Sequence, residues 1–290
     1  MAMRHIQNEL PEIGILDLRR LNEVVLKNYD TDLGIYAHTS LKRKISRFIA
    51  DNSLKDVDNL IFTLKNDSSI FFRLMQSISV SCTEFFRDPS FWRILRDEIF
   101  PILNHAYQEL CFWIPGCSTG EEVLSLAITL HEAGLYEKSK ILTSDTNEEL
   151  LTKSKDALYC STKIDISEYN YKRFRADDIN NLSDYVIYEN GNYKFRKFLY
   201  ENLQYGIFKG NDLEKKSSFL HGYPRIHMIL CRNYFIYFTS THQENLLHVF
   251  TNKLIPGGYL AIGNKENISF CENAGMYLIA SESERIYRKK

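Results

Sequence analysis

The chain has 290 residues, 44% hydrophobic and 25% charged, the balance of an ordinary soluble globular protein with room for a large α/β domain and a smaller one. Its net charge of −1 excludes an overall field that would draw it to nucleic acid. No apolar run of about 18 residues occurs, so no membrane span is expected, and the first ten residues lack the apolar centre of a signal peptide. Cys82, Cys111, Cys117, Cys160, Cys231 and Cys271 are scattered without a C-x-x-C pair. Buried free thiols in a reducing cytoplasm are therefore expected, rather than disulfides or zinc.

Residues 12 to 78 read as helices with polar joints. Leu18, Leu21, Val24 and Val25 give a first apolar stripe. The next helix, from about Ser40 to Asp51, has Leu41, Ile45 and Phe48 on one side and Arg43, Lys44 and Arg47 on the other. Such a basic face is either simply solvated or a dock for an acidic partner. One or two short helices follow between Leu54 and Leu74. This region, 1–78, reads as a small helical domain without chemistry of its own.

Ser81-Cys-Thr-Glu-Phe-Phe-Arg-Asp88 precedes a helix opened by Pro89. Phe85 and Phe86 read as packing residues, and Arg87 as either exposed or held at a pocket edge. Cys111 to Ile114 is a short apolar run stopped at Pro115, suited to a buried strand. Gly116 and Gly120 punctuate the turn after it. Val123, Leu126, Ala127 and Leu130 then recur at helical spacing. Strand, glycine loop and helix predict the ligand-binding corner of an open α/β sheet. Neither a P-loop nor G-x-G-x-x-G is present. Glu121 and Glu122 open the helix, where they would repel a pyrophosphate but could pair with a cationic ligand. They could equally be ordinary first-turn acids favoured by the helix dipole.

Ser139 to Asp145 reads as a second strand. Its terminal acid is placed either to accept ribose hydroxyls or to cap the helix Asn147 to Ala157. From Cys160 to Phe208 the alternation breaks. Tyr185–Tyr188 and Tyr193–Phe195 flank Asn190-Gly191, a strong hairpin signal, and Leu203 to Phe208 offers another strand. An insertion of this kind can be a lid, an edge that accepts a peptide strand, or a plain structural hairpin. Ile226 to Leu230 is a buried strand with Asn233 just past it. A helix from Ser240 to Leu254, a strand from Pro256 to Gly263, and a terminal hairpin (276–280 and 285–287) complete the chain.

Four of these segments, Ser-Cys-Thr-Glu-Phe-Phe-Arg, Gly-Cys-Ser-Thr-Gly-Glu-Glu, Cys-Arg-Asn-Tyr-Phe-Ile-Tyr-Phe and Pro-Gly-Gly-Tyr-Leu, together resemble the CheR family. Those are chemotaxis receptor methyltransferases that use S-adenosylmethionine. The resemblance covers nearly the whole chain. It implies a class I (Rossmann-like) methyltransferase sheet over 79–290, with an all-helical N-terminal domain and an inserted antiparallel β-subdomain at about 160–208. It implies S-adenosylmethionine as cofactor, no metal, methyl transfer to chemoreceptor glutamates or another acidic protein, and a cytoplasmic monomer.

Residue by residue, the resemblance places Thr83 and Arg87 near the amino-acid end of the cofactor and its methyl group, and makes Ser81 a further cofactor contact. Glu121 falls near the methionine moiety, Asp145 on the ribose, and Asn211 and Asp212 near adenine, with Gly116 also among the cofactor-binding residues. Asn233 and Tyr234 follow the fourth strand, and Tyr237 lies near the reacting centre. Arg87 and Tyr237 are the expected catalytic residues, and Arg43, Lys44 and Arg47 the expected docking face. The chain departs from the family pattern at Ser81 (usually Asn), Val123 (usually Pro), Thr239 (usually Asp) and Asn264-Lys265 (usually His-Ser). The alternatives to a receptor methyltransferase are an enzyme of the same build with another acceptor, and a non-catalytic binder of the cofactor or its product.

Overall fold

The computed structural model describes residues 10–78, 83–175, 181–208 and 219–290. They fall into two compact units. One holds the described residues up to 78 with Tyr237–His242, and the other holds the remainder.

The first unit is built on α1 (Ile15–Tyr29), α2 (His38–Asp51), α3 (Val57–Asn66) and α4 (Ser68–Ile78). Most of the stripe read from the sequence is its core: Leu18, Leu21 and Val25 of α1 are buried, with Leu41, Ile45 and Phe48 of α2, while Val24 is half-buried. Asp56 caps α3 by accepting from the Asn59 N–H at 2.9 Å. The Tyr29 and Phe71 rings stack 4.0 Å apart. Residues 237–242 join this unit through main-chain bonds, Ala37 N–H to the Tyr237 carbonyl and Thr239 N–H to the Ile35 carbonyl, both 2.8 Å.

The second unit begins with α5 (Pro89–Ile94) and α6 (Phe100–Ala106). It continues through β1 (Leu110–Pro115), α7 (Glu121–Glu132), β2 (Ser139–Asp145), α8 (Glu148–Asp156) and α9 (Ser161–Arg175). Then come β3 (Val186–Glu189), β4 (Asn192–Phe195), β5 (Leu203–Ile207), β6 (Ile226–Cys231), α10 (Ser240–Lys253, in this unit from Gln243 on), β7 (Leu254–Ile262), β8 (Tyr277–Ser281) and β9 (Ile286–Lys289). Seven strands form one sheet in the order β5-β2-β1-β6-β7-β9-β8. The first five are parallel, and β9 runs antiparallel between β7 and β8. Every residue of β1 and β6 is buried, as expected of parallel strands covered on both faces. The chain leaves β1 toward β2 and β5, then returns to β6 on β1's other side. Such a reversal is where open α/β sheets bind ligands, here at the carboxyl ends of β1 and β6. Trp113 locks the strand centres. Its ring meets Phe208 and Phe250 edge-on, and its Nε1–H donates to Ser144 Oγ at 2.9 Å.

The insertion is smaller than the sequence suggests. Residues 203–207 pair in parallel with β2 and extend the main sheet, so among the described residues the insertion's antiparallel element is the β3–β4 hairpin beside α9. Its turn is the expected Asn190-Gly191, with φ of 51° and 81°, both left-handed as a two-residue hairpin requires. Tyr159 and Tyr193 exchange two main-chain bonds that tie this hairpin down. Cys111, Cys117, Cys231 and Cys271 are free and buried as expected, whereas Cys160 is free but exposed.

Lys44 does not join its neighbours on an open basic face. Its Nζ donates to the Ile78 carbonyl and lies 4.6 Å from the centroid of the Tyr237 ring, while Arg43 and Arg47 stay exposed. Burial, aided by Arg43, pushes the Lys44 ammonium down to about 8. The folded chain therefore releases this proton before the unfolded chain does. Lys44 adds to stability as pH climbs from about 8 toward its ordinary value near 10.5. A urea melt series over that window should show a rise in wild-type stability that Lys44→Met lacks. Parallel curves for the two proteins would contradict the placement.

Candidate active site

The corner after β1 has little conformational freedom. Gly116, Ser118 and Gly120 have φ of 68°, 52° and 92°, a run that few sequences tolerate. A side chain at Gly116 would put its Cβ 2.5 Å from the Tyr234 ring, and one at Gly120 would sit 2.5 Å from Ser154 Oγ. Gly116 and Tyr234 are thus brought together from different strands. Cys117 N–H donates to the Ser144 carbonyl at 3.0 Å, which pins the loop to the end of β2.

Asp145 completes that attachment. Its two carboxylate oxygens accept from the Ser118 and Asn147 N–H groups, each at 3.0 Å. Burial pushes its carboxyl up, and those main-chain donors pull the other way. The helix cap itself is Asn147, which accepts from the Glu149 N–H at 2.9 Å. Asp145 therefore stands at the strand end as the organiser of the glycine loop and the start of α8.

Glu121 is wholly buried and does not face open solvent. Thr119 Oγ1 donates to it at 2.6 Å, and Lys163 Nζ of α9 pairs with it. Tyr159 O–H donates to the Thr119 carbonyl at 2.9 Å, so α9 and the residues before it brace the loop twice. Glu122 sits beside Arg232 (Oε1 to Nη1, 3.8 Å), and that Oε1 is buried without a hydrogen-bond partner. Burial pushes Glu122 up to about 7, with Arg232 and Arg87 opposing. An unsatisfied acceptor next to a glycine loop and a strand-end acid fits a cofactor that carries an ammonium group and ribose hydroxyls.

Arg87 follows fully buried Phe85 and Phe86. Phe85 stacks on Phe195 of the hairpin at 4.7 Å, and Phe86 stacks on Phe174 of α9 at 5.1 Å. The expectation that both phenylalanines pack is met, and their packing holds the Arg87 turn to the insertion. Thr83 is half-buried in the segment leading into this turn. Ser81, Asn211 and Asp212 lie outside the described residues.

Asn233 has a φ of 56° and is fixed by a residue not singled out from the sequence, Glu266. The Glu266 carboxylate is buried and accepts from the N–H groups of Asn233 (3.0 Å), Ile236 (3.1 Å) and Gly263 (2.5 Å). The departures Asn264 and Lys265 beside it are exposed, so the altered pair falls on solvent while the buried acid is kept. Thr239 accepts from the His242 N–H at 3.4 Å at the start of α10, a position where Thr and Asp both serve as caps. Tyr237 sits in the helical unit under Lys44, whereas Arg87, Gly116, Glu121, Asp145, Asn233 and Tyr234 belong to the sheet unit. Glu266, Lys163 and Arg232 are the site's unforeseen members. The only local signal was the spacing of Gly263 and Glu266 after a buried strand.

Among the described residues, no group of three or more His, Cys, Asp or Glu is placed to hold a metal ion. None of their helices is long and apolar enough to cross a membrane.

Residues 81–284 match the model of the CheR methyltransferase S-adenosylmethionine-binding domain. A Pseudomonas putida protein provisionally named methyltransferase Cher3 is 30% identical over 274 residues, 94% of this chain and 97% of that protein. The chemotaxis protein methyltransferase of Listeria innocua is 27% identical, covering 87% of this chain and 90% of its own. The protein of the same name from Borreliella burgdorferi is also 27% identical, covering 87% and 88%. With the topology and the glycine corner already in place, the match assigns the chain to the CheR family of S-adenosylmethionine-dependent methyltransferases.

Proposed function

We propose that this protein transfers a methyl group from S-adenosylmethionine to glutamate side chains of chemoreceptor cytoplasmic helices, forming methyl esters in the cytoplasm. The observation that carries the reading is the pairing of an acid-rich glycine corner with an arginine turn in one unit, in a chain whose relatives include chemotaxis methyltransferases.

When bound, S-adenosylmethionine supplies an electrophilic methyl on a sulfonium centre. Asp145 would hold the ribose, with its carboxylate already aimed by two main-chain donors. Glu121 and Glu122 would supply negative charge for the ammonium end, and the Tyr234 ring, set against Gly116, one wall. A glutamate carboxylate, with an ordinary pKa of about 4.3, is already a nucleophile at neutral pH, so no general base is needed. Catalysis then rests on alignment and on removing water from the carboxylate. Arg87 would orient carboxylate oxygen. Arg43 and Arg47, exposed on α2, would meet the acidic receptor surface, while Lys44 fixes the Tyr237 ring from behind.

Transfer of labelled methyl to receptor cytoplasmic fragments tests this reading. Base-labile label on glutamate is expected, with kcat/KM lowered about 100-fold in Arg87→Ala. Cofactor turnover onto some other acceptor, or none at all, would overturn it. Arg43→Ala with Arg47→Ala should raise the receptor KM several-fold at low salt, leave kcat unchanged, and lose its effect at about 0.5 M salt. Glu121→Gln should raise the cofactor KM about tenfold, because the charge that Lys163 now faces disappears.

A further inference from the structure

The turn that presents Arg87 is strained. Phe86 and Asp88, on either side of it, have φ of 50° and 54°, and neither is glycine. Strain of this kind persists only where surrounding contacts over-determine it. Here the contacts converge from below. The Trp92 indole N–H donates to the Arg87 carbonyl at 3.0 Å. Arg232, just past β6, reaches the same carbonyl with Nη1 at 3.4 Å and the Asp88 carboxylate with Nη2 at 2.6 Å. Its guanidinium also lies 4.0 Å from the centroid of the Phe91 ring and 3.8 Å from Glu122. The Arg232 side chain is 1% exposed, so this is a buried, multiply engaged cation.

We propose that Arg232 is a positioning residue for the methyltransferase site. It holds the Arg87 turn by its carbonyl and takes up the charge of Asp88, which would otherwise fall to Arg87. The charges make the case. Asp88 is Arg87's immediate neighbour, and Glu122 also faces this cluster. Without Arg232, the nearest cation along the chain to Asp88 is Arg87. A guanidinium drawn to Asp88 would leave its present place beside Glu84, 4.0 Å away, and could not orient a ligand carboxylate. Only a planar fork can meet carbonyl, carboxylate and aromatic face together, so lysine is a partial substitute.

The inference rests on Arg87 facing a ligand carboxylate, and its test separates the two ideas. S-Adenosylhomocysteine affinity is measured by calorimetry for wild type, Arg232→Met, Arg232→Lys, and each combined with Asp88→Asn; methyl-transfer kcat and KM and melting temperatures are recorded alongside. Arg232→Met should weaken binding about tenfold and Arg232→Lys about threefold. Asp88→Asn should restore most of the affinity in either background without restoring the melting temperature. Double variants that bind no better than Arg232→Met and Arg232→Lys would overturn the proposal. If Arg232→Met does not fold, the lysine pair decides the question. If receptor fragments take no label from wild type, the receptor assignment fails, and the binding series still decides the role of Arg232.

Discussion

The sheet unit depends on two buried carboxylates that collect main-chain N–H groups where parallel strands end. Beyond the last ladder bond, a chain turning sharply at the carboxyl edge of a buried sheet has donors that neither water nor a neighbouring strand can satisfy. Asp145 takes those of Ser118 and Asn147, and Glu266 takes those of Asn233, Ile236 and Gly263. Each unmet donor would cost about 1–3 kcal/mol, so the two acids fix loops that left-handed residues alone would leave ill-defined. The left-handed residues Ser118 and Asn233 are each held by one of these acids. Rigid loops at the strand-order reversal are what a methyl-transfer site needs, since its chemistry asks for alignment more than for proton transfer.

Around this frame the acids and bases sort by depth. Glu121 is matched by Lys163 from α9, and Asp88 by Arg232 from the end of β6. Each pair joins a buried group to a partner that keeps some exposure, and such pairs add little net stability. Breaking one is nevertheless costly, because it strands a charge. Their contribution is to set direction. The inserted helix braces the glycine loop, and the Arg87 turn is fixed to the strand edge. The insertion is thereby part of the site's support as well as a surface feature.

Much of this could be read from the sequence, because the signals are local. Fully apolar β1, the helical spacing of α7, the Asn190-Gly191 turn and the acid ending β2 each declare themselves within a few residues. The family motifs then joined them into one topology. The parts that escaped depend on distance. Lys163 meets Glu121 across a separation in sequence that no periodicity encodes, and Arg232 finds Asp88 only once β6 lies beside β1. Lys44 looked like one of three surface cations, yet its partners are a carbonyl at the end of α4 and a ring from residue 237. Residues 203–207 looked like part of an insertion because their half-buried pattern gives no sign that β2 is their neighbour.

The central claim is that the corner organised by Asp145 is the cofactor site. Calorimetric titration of S-adenosylhomocysteine into the wild type and into Asp145→Asn tests it most directly. The account requires one saturable site per chain and a loss of at least tenfold in affinity for the variant, with both proteins folded. Equal affinity in the two proteins would contradict it.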